Sequence, residues 1–222
     1  DAAAHNYFGH SVSISGDVLA VGAYHAKVSG KKWAGAVYLY RVEGDGAVSF
    51  IDKVIAEDGE QGANFGYSVS QSGGVLAVGA RNAKVSGKKA GAVYLYRVGR
   101  MKASFIDKVV AKDGRKTDQF GISVSQSGDV LAIGASKWDV DGEQNTGAVY
   151  LYRMGSDGAV SFIDKVVAED GKTNDYFGIS VSQSDNLLAV GASGAEAAYL
   201  YRVGSMKASF IDKVAAEEGS AD

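Results

Sequence analysis

The 222-residue chain contains no cysteine and no proline. Without thiols there are no disulfides and no thiolate metal sites, an absence that any compartment tolerates. Without proline, turns fall to the 30 glycines and to Asp, Asn and Ser, which reach the positive φ values that tight hairpins need. No apolar run approaches the roughly 20 residues of a membrane-spanning helix, so no transmembrane segment is expected. An excess of one charge is also lacking. With 23 basic and 26 acidic side chains the net charge is −3, which argues against nucleic acid, whose phosphates call for a concentrated basic surface. No Asn-x-Ser/Thr sequon occurs. The chain begins at Asp1 without a signal-peptide pattern, which reads as a mature form.

What the chain does have is self-similarity. Phe-Gly recurs at Phe8, Phe65, Phe120 and Phe177, and four pieces follow each copy. These are a Ser-Val-Ser segment (Ser11–Ser13), a Leu-Ala-Val-Gly-Ala segment (Leu19–Ala23), a Tyr-Leu-Tyr-Arg segment (Tyr38–Arg41), and a Ser-Phe-Ile-Asp-Lys-Val segment starting at Ser49, Ser104, Ser161 and Ser209. Each piece is β-branched or aromatic and is bounded by Gly, Ser or Asp, the pattern of a strand, and nothing reads at helical period. Short connections such as Ser15-Gly16-Asp17 and Glu43-Gly44-Asp45-Gly46 predict hairpins.

The expected fold is therefore all-β: a four-bladed β-propeller, each blade a four-stranded antiparallel sheet, in one domain over residues 1–222 with repeats 1–59, 60–114, 115–171 and 172–222. Side-chain size supports it. Strands one and two offer Ser, Ala, Val and Gly for a crowded axis, whereas strands three and four bring Tyr38, Tyr40 and Phe50 for the wider rim. A closed four-blade ring is the first expectation, with Glu217–Ser220 meeting Asp1. Two chains forming an eight-blade ring is the alternative, and an open fragment of a larger propeller comes third.

Phe-Gly, Ser-Val, Gly-Asp-x-Leu-Ala-Val-Gly-Ala and Gly-Ala-Val-Tyr-Leu-Tyr resemble the FG-GAP repeat, four times over and across nearly the whole chain. The resemblance implies blades like those of the integrin α-subunit propeller, and an extracellular or organelle-lumen setting. The sequence departs from the pattern at the "GAP" proline, replaced here by Tyr24, Arg81, Ser136 and Ser193, and in having four repeats rather than the usual seven.

Chemistry is sparse. The calcium loop of some integrin-type repeats needs several carboxylates between strands one and two, but Ser-Gly-Asp offers one, so no cofactor is expected. The one run with alternating carboxylates, Asp139, Asp141 and Glu143, lacks further ligands and reads as a solvated acidic loop. His5, His10 and His25 match no zinc spacing and read as structural or surface residues. The repeated Arg41, Arg97, Arg153 and Arg202 of strand three and Asp52, Asp107, Asp164 and Asp212 of strand four predict cross-strand ion pairs. Fourfold repetition argues against catalysis, since active sites are single and asymmetric, and no Ser-His-Asp arrangement stands out, so the chain is not expected to be an enzyme.

The repeats differ most in the loop between strands two and three, and function on a rigid scaffold concentrates in loops. The expected binding residues are Tyr24, His25, Trp33, Arg81, Asn82 and Trp138, on one face together with the acid-bearing linkers between repeats. The expected function is protein binding or assembly through that face. The alternative is a lectin-like propeller with several similar glycan sites.

Overall fold

A computed structural model describes residues 5–156 and 158–216. It contains four antiparallel sheets, each in sequence order from inner to outer strand. Blade 1 comprises β1 (Phe8–Ser15), β2 (Val18–Ala23), β3 (Ala36–Val42) and β4 (Val48–Val54). In blade 2, β5 (Phe65–Ser72) and β6 (Val75–Ala80) are followed by a small hairpin, β7 (Lys84–Val85) and β8 (Lys88–Lys89), then by β9 (Ala92–Val98) and β10 (Ala103–Val109). Blade 3 comprises β11 (Val124–Ser127), β12 (Val130–Ala135), β13 (Ala148–Met154) and β14 (Val160–Val166). Blade 4 comprises β15 (Phe177–Ser184), β16 (Leu187–Ala192), β17 (Ala197–Val203) and β18 (Ala208–Ala215), with a single 3-10 turn at Ser193–Ala195.

Successive blades stack face to face, and their first strands run side by side. Both faces of blades 2 and 3 are covered, which explains strands that are apolar on both sides. Between blades 1 and 2, Val18, Leu39 and Val54 meet Phe65, Leu76, Tyr94 and Tyr96. The two further junctions repeat this with Phe120 and Phe177 in the place of Phe65. Each Phe meets a tyrosine of its own blade edge-on, at 5.4 Å for Phe65–Tyr94 and 5.3 Å for Phe120–Tyr150, worth roughly 0.5–1.5 kcal/mol beyond area burial.

Near the axis the backbones approach so closely that only glycine fits. A Cβ at Gly22, Gly79 or Gly134 would stand 2.2, 2.2 and 2.0 Å from the carbonyl oxygens of Gly66, Gly121 and Gly178 in the next blade. The neighbouring serines use the same carbonyls. Ser11, Ser68 and Ser123 donate their hydroxyls to Gly66, Gly121 and Gly178 at 2.9, 2.9 and 2.8 Å. The repeated Ser and Gly of the sequence are thus the stitches between blades.

Two expectations need correction. The four blades form an open arc rather than a closed ring: Phe8 is 55% exposed, whereas Phe65, Phe120 and Phe177 are 0, 1 and 0% exposed. The expected meeting of Glu217–Ser220 with Asp1 lies outside the described residues. The face that blade 4 would offer to Phe8 has been altered. Glu196 stands where Gly35, Gly91 and Gly147 receive the next blade's Phe, and Ala198 replaces Val37, Val93 and Val149.

The predicted pairing of strand-three Arg with strand-four Asp is also incorrect. The hairpin register sets Arg41 opposite Ser49, and a β-bulge at Ile51 sets Asp52 opposite Leu39. Arg41 instead pairs with Asp17 of the β1–β2 turn, and Arg153 with Asp129 at 2.7 Å. Asp52 and Asp164 accept from the backbone N–H of Ala103 and Ala208 in the following blade, both at 2.9 Å. Asp52 and Asp164 thus join blades, while Arg41 and Arg153 close hairpins.

Candidate functional site

The β2–β3 loop of blade 1 lies against the linker entering blade 2. The N–H groups of Gly62, Asn64 and Phe65 donate to the carbonyls of Lys32, Trp33 and Ala34, each at 3.0 Å. The expected shared face of loops and linkers is therefore present, and the inter-blade linkers are held firmly. Tyr94, Tyr150 and Tyr199 donate to the linker carboxylates of Asp58, Asp113 and Asp170 at 2.8, 2.9 and 2.8 Å. Lys165 and Lys213 complete two of these groups at 2.7 and 2.6 Å, and Lys108 completes the third. Burial alone would raise Asp58 and Asp113, but the lysine and tyrosine hydrogen bonds hold both below the usual carboxylate range.

Over blades 1 and 2 this face carries an aromatic cluster. Tyr24, directly after β2, lies 4.5 Å from His10, 4.3 Å from His25, 5.0 Å from Tyr67 and 5.1 Å from Tyr7, between ring centroids. His25 stacks on Trp33 at 5.3 Å and 27°. The Arg81 guanidinium lies 3.8 Å above the centre of the Tyr67 ring, and its buried Nε has no hydrogen-bond partner among the described residues. Asn82 donates to Asn64 Oδ1 at 2.7 Å, and Asn64 donates to the Tyr24 carbonyl at 3.4 Å. Five of the six expected binding residues thus fall into one network: Tyr24, His25, Trp33, Arg81 and Asn82.

The electrostatics of the cluster follow from its packing. Burial, with Arg81 nearby, pushes His10 below its ordinary value, and burial, Arg81 and His10 do the same to His25. Burial and the neighbouring Tyr7 and Tyr67 push the Tyr24 hydroxyl up, against the pull of Arg81. At neutral pH His10, His25 and Tyr24 thus stand uncharged beside the Arg81 cation.

Trp138 is the exception. In the aligned repeats it occupies the position of Ala26 and Ala83, both buried, and it too is only 5% exposed. Its ring packs edge-on against Tyr150 at 6.0 Å, with the Lys165 ammonium 4.2 Å and the Arg115 guanidinium 5.2 Å from its centre. It is a core residue of blade 3. Trp33, aligned with Asn145, is 52% exposed and holds a left-handed φ of 57° at the loop corner. That backbone is costly for a bulky side chain, and such strain is characteristic of functional positions.

Sequence reading missed Tyr7, His10 and Tyr67. The signal was available, because the position of His10 and Tyr67 is Ile122 and Ile179 in the later repeats, a change from apolar to polar aromatic confined to the first two blades. Asp139 accepts from the Asn145 N–H at 2.8 Å, and Glu143 accepts from Thr173 of the following linker. Among the described residues no three His, Asp or Glu side chains converge as metal ligands, Asp139, Asp141 and Glu143 included.

Comparison with known proteins gives the fold independent support. A search of curated protein sequences returned no match. The arc superposes on the crystal structure of Saccharomyces cerevisiae Sqt1 with a TM-score of 0.56 at 10% identity, covering 96% of this chain and 49% of that one. It superposes on a Lactobacillus plantarum protein with a TM-score of 0.62 at 13% identity, covering 96% of this chain and 57% of that one. The chain thus spans about half the length of these structures, and at such identities the likeness concerns the fold alone. The FG-GAP repeat signature matches residues 1–40, 48–96, 104–152 and 160–206, most of the sequence. Each of the last three matches begins at a fourth strand and runs through strands one to three of the next blade, so the matched unit spans the blade junction. The chain belongs to the FG-GAP repeat family.

Proposed function

We propose that the chain is a non-enzymatic binding module that holds a protein partner on the loop face of blades 1 and 2. The observation that carries this reading is Trp33: a large aromatic side chain kept half-exposed on a left-handed backbone, stacked on His25 and joined through Tyr24 to Arg81. Exposed aromatic side chains beside an arginine are the usual anchors of protein interfaces. The rest of the molecule supports a scaffold role, because its repeated Ser and Asp side chains are consumed in stitching blades together. The family resemblance adds an extracellular or lumenal setting to the proposal.

The test is affinity capture from a native extract with immobilised chain, followed by titration of each captured protein. The double variant Trp33→Ala, Arg81→Ala is expected to lose at least tenfold in affinity while melting like the parent. Unchanged affinity for every captured protein would remove the assignment to this face. The exposed His25–Trp33 stack also favours a second reading, a single glycan site, because a sugar ring packs on such a surface. A glycan array probed with and without calcium decides it, since binding lost in the Trp33→Ala variant would move the partner class from protein to sugar.

A further inference from the structure

The three internal junctions share one set of contacts, and the two ends of the arc carry its two halves uncovered. On the trailing side of a junction stand two serines. The first donates to a Gly carbonyl of the next blade, as Ser11 does to Gly66. The second accepts from a backbone N–H of that blade: Gln71, Gln126 and Gln183 donate to Ser13, Ser70 and Ser125 Oγ at 3.0, 3.0 and 2.9 Å. Blade 4 keeps both trailing serines, Ser180 and Ser182, and blade 1 keeps the leading carbonyl at Gly9 and a leading N–H at Ile14. At Gly191 an added Cβ would meet only Ser180 of its own blade, whereas its equivalents Gly22, Gly79 and Gly134 are pressed against the next blade's carbonyl. Among the described residues nothing fills the place of that carbonyl.

The apolar faces match in the same way. Phe8 and Val12 correspond to the buried Phe65 and Val69, yet are 55% and 63% exposed. Leu187 and Val214 correspond to the buried Val130 and Val166, yet are 46% and 48% exposed. We propose that two copies of the chain associate head to tail, the outer face of blade 4 in one copy covering the outer face of blade 1 in the other, so that two equivalent junctions close an eight-blade ring. Ser180 then donates to the partner copy's blade 1 at the Gly carbonyl, and Ser182 accepts from the N–H of the Ile that follows. A heterologous contact of this kind either closes into a ring or runs on as a filament.

The junction is not a perfect fourth copy. Glu196 and the shortened loop at Ser193–Ala195 remove the loop-side grip that Trp33 and Ala34 exert on the next linker. The intermolecular junction is accordingly weaker than an internal one and dissociates on dilution.

Sedimentation velocity across a concentration series tests this. The expected wild-type mass is twice 23.0 kDa, falling to 23.0 kDa on dilution. Phe8→Asp and Leu187→Asp each lie on a face that is exposed in the single chain, so each is expected to stay folded by circular dichroism and to sediment as a monomer. Mixing the two variants restores one intact junction and therefore a dimer. Val12→Lys and Val214→Lys serve as a second pair if either aspartate variant unfolds. A wild-type monomer at every soluble concentration, a ladder of larger masses, or a dimer that survives Leu187→Asp would each overturn the proposal; the last would mean head-to-head pairing.

Discussion

Trp33 and Trp138 sit in equivalent loops of one repeated scaffold and meet opposite fates. Trp138 enters the loop at the position of a buried alanine, two residues after the buried Ser136, and its ring is drawn into the core beneath Lys165. Trp33 leaves its loop at a left-handed corner, where Asn145 stands in blade 3, and its ring stays in solvent against His25. The difference is set by register within the loop, not by residue type. A tryptophan in a variable loop therefore carries no functional weight until its place in the repeat is known.

Substitutions can break this comparison at several points. The largest effect is expected for Trp138→Ala, which empties a packed site against Tyr150 and should cost about 3 kcal/mol or more, read as a fall in the denaturation midpoint. Trp33→Ala should leave that midpoint nearly unchanged, and equal losses for the two would dissolve the distinction.

The linker under the Trp138 loop supplies the next effect. Asp118, whose carbonyl accepts from Lys137, is buried, and burial pushes its carboxyl up to about 6, with Arg115 opposing and Asp139 and Asp113 assisting. The folded state then binds more protons than the unfolded chain between about pH 4 and 6, so this group removes stability as pH rises through that window. Asp118→Asn should flatten the slope there and raise stability above pH 6, measured by urea titration at several pH values. Asparagine is acceptable at this position, which is Asn6 in the first repeat. Asp58, Asp113 and Asp170, held low by their lysines and tyrosines, act in the opposite sense and lose their contribution only as pH falls below the ordinary carboxylate range.

The smallest effect sharpens the comparison most. Trp33→Asn places the blade 3 residue at the left-handed corner and should stabilise the chain by about 1 kcal/mol. The same change should weaken partner binding. A gain in stability with a loss of binding is the signature of a residue kept for function.

Much of the fold was legible because each repeat states it again. Strand boundaries, hairpins and the taper from Ser and Gly at the axis to Tyr and Phe at the rim all follow from spacing and side-chain size. Ring closure was not legible, because the number of repeats does not set the angle between blades. Glu196 and Ala198, which depart from an otherwise constant face, were its only trace. The Arg–Asp pairing was misread because the turn between strands three and four sets Arg41 opposite Ser49, three residues before Asp52, and the bulge at Ile51 that sets Asp52 opposite Leu39 leaves no mark in an apolar strand pattern. The site was half legible. Loop divergence pointed to Tyr24, His25, Trp33, Arg81 and Asn82. Tyr7, His10 and Tyr67 lie in or beside strand one, where the repeats look constant until they are aligned position by position.

The most direct test of the central claim, an exposed aromatic surface over blades 1 and 2 and a buried tryptophan in blade 3, is acrylamide quenching of single-tryptophan variants. With Trp138→Phe only Trp33 emits, and the account predicts red-shifted fluorescence that acrylamide quenches readily. With Trp33→Phe only Trp138 emits, and the emission should be blue-shifted and protected. Equal quenching of the two, or protection of Trp33 in the isolated chain, would contradict the assignment of the binding face.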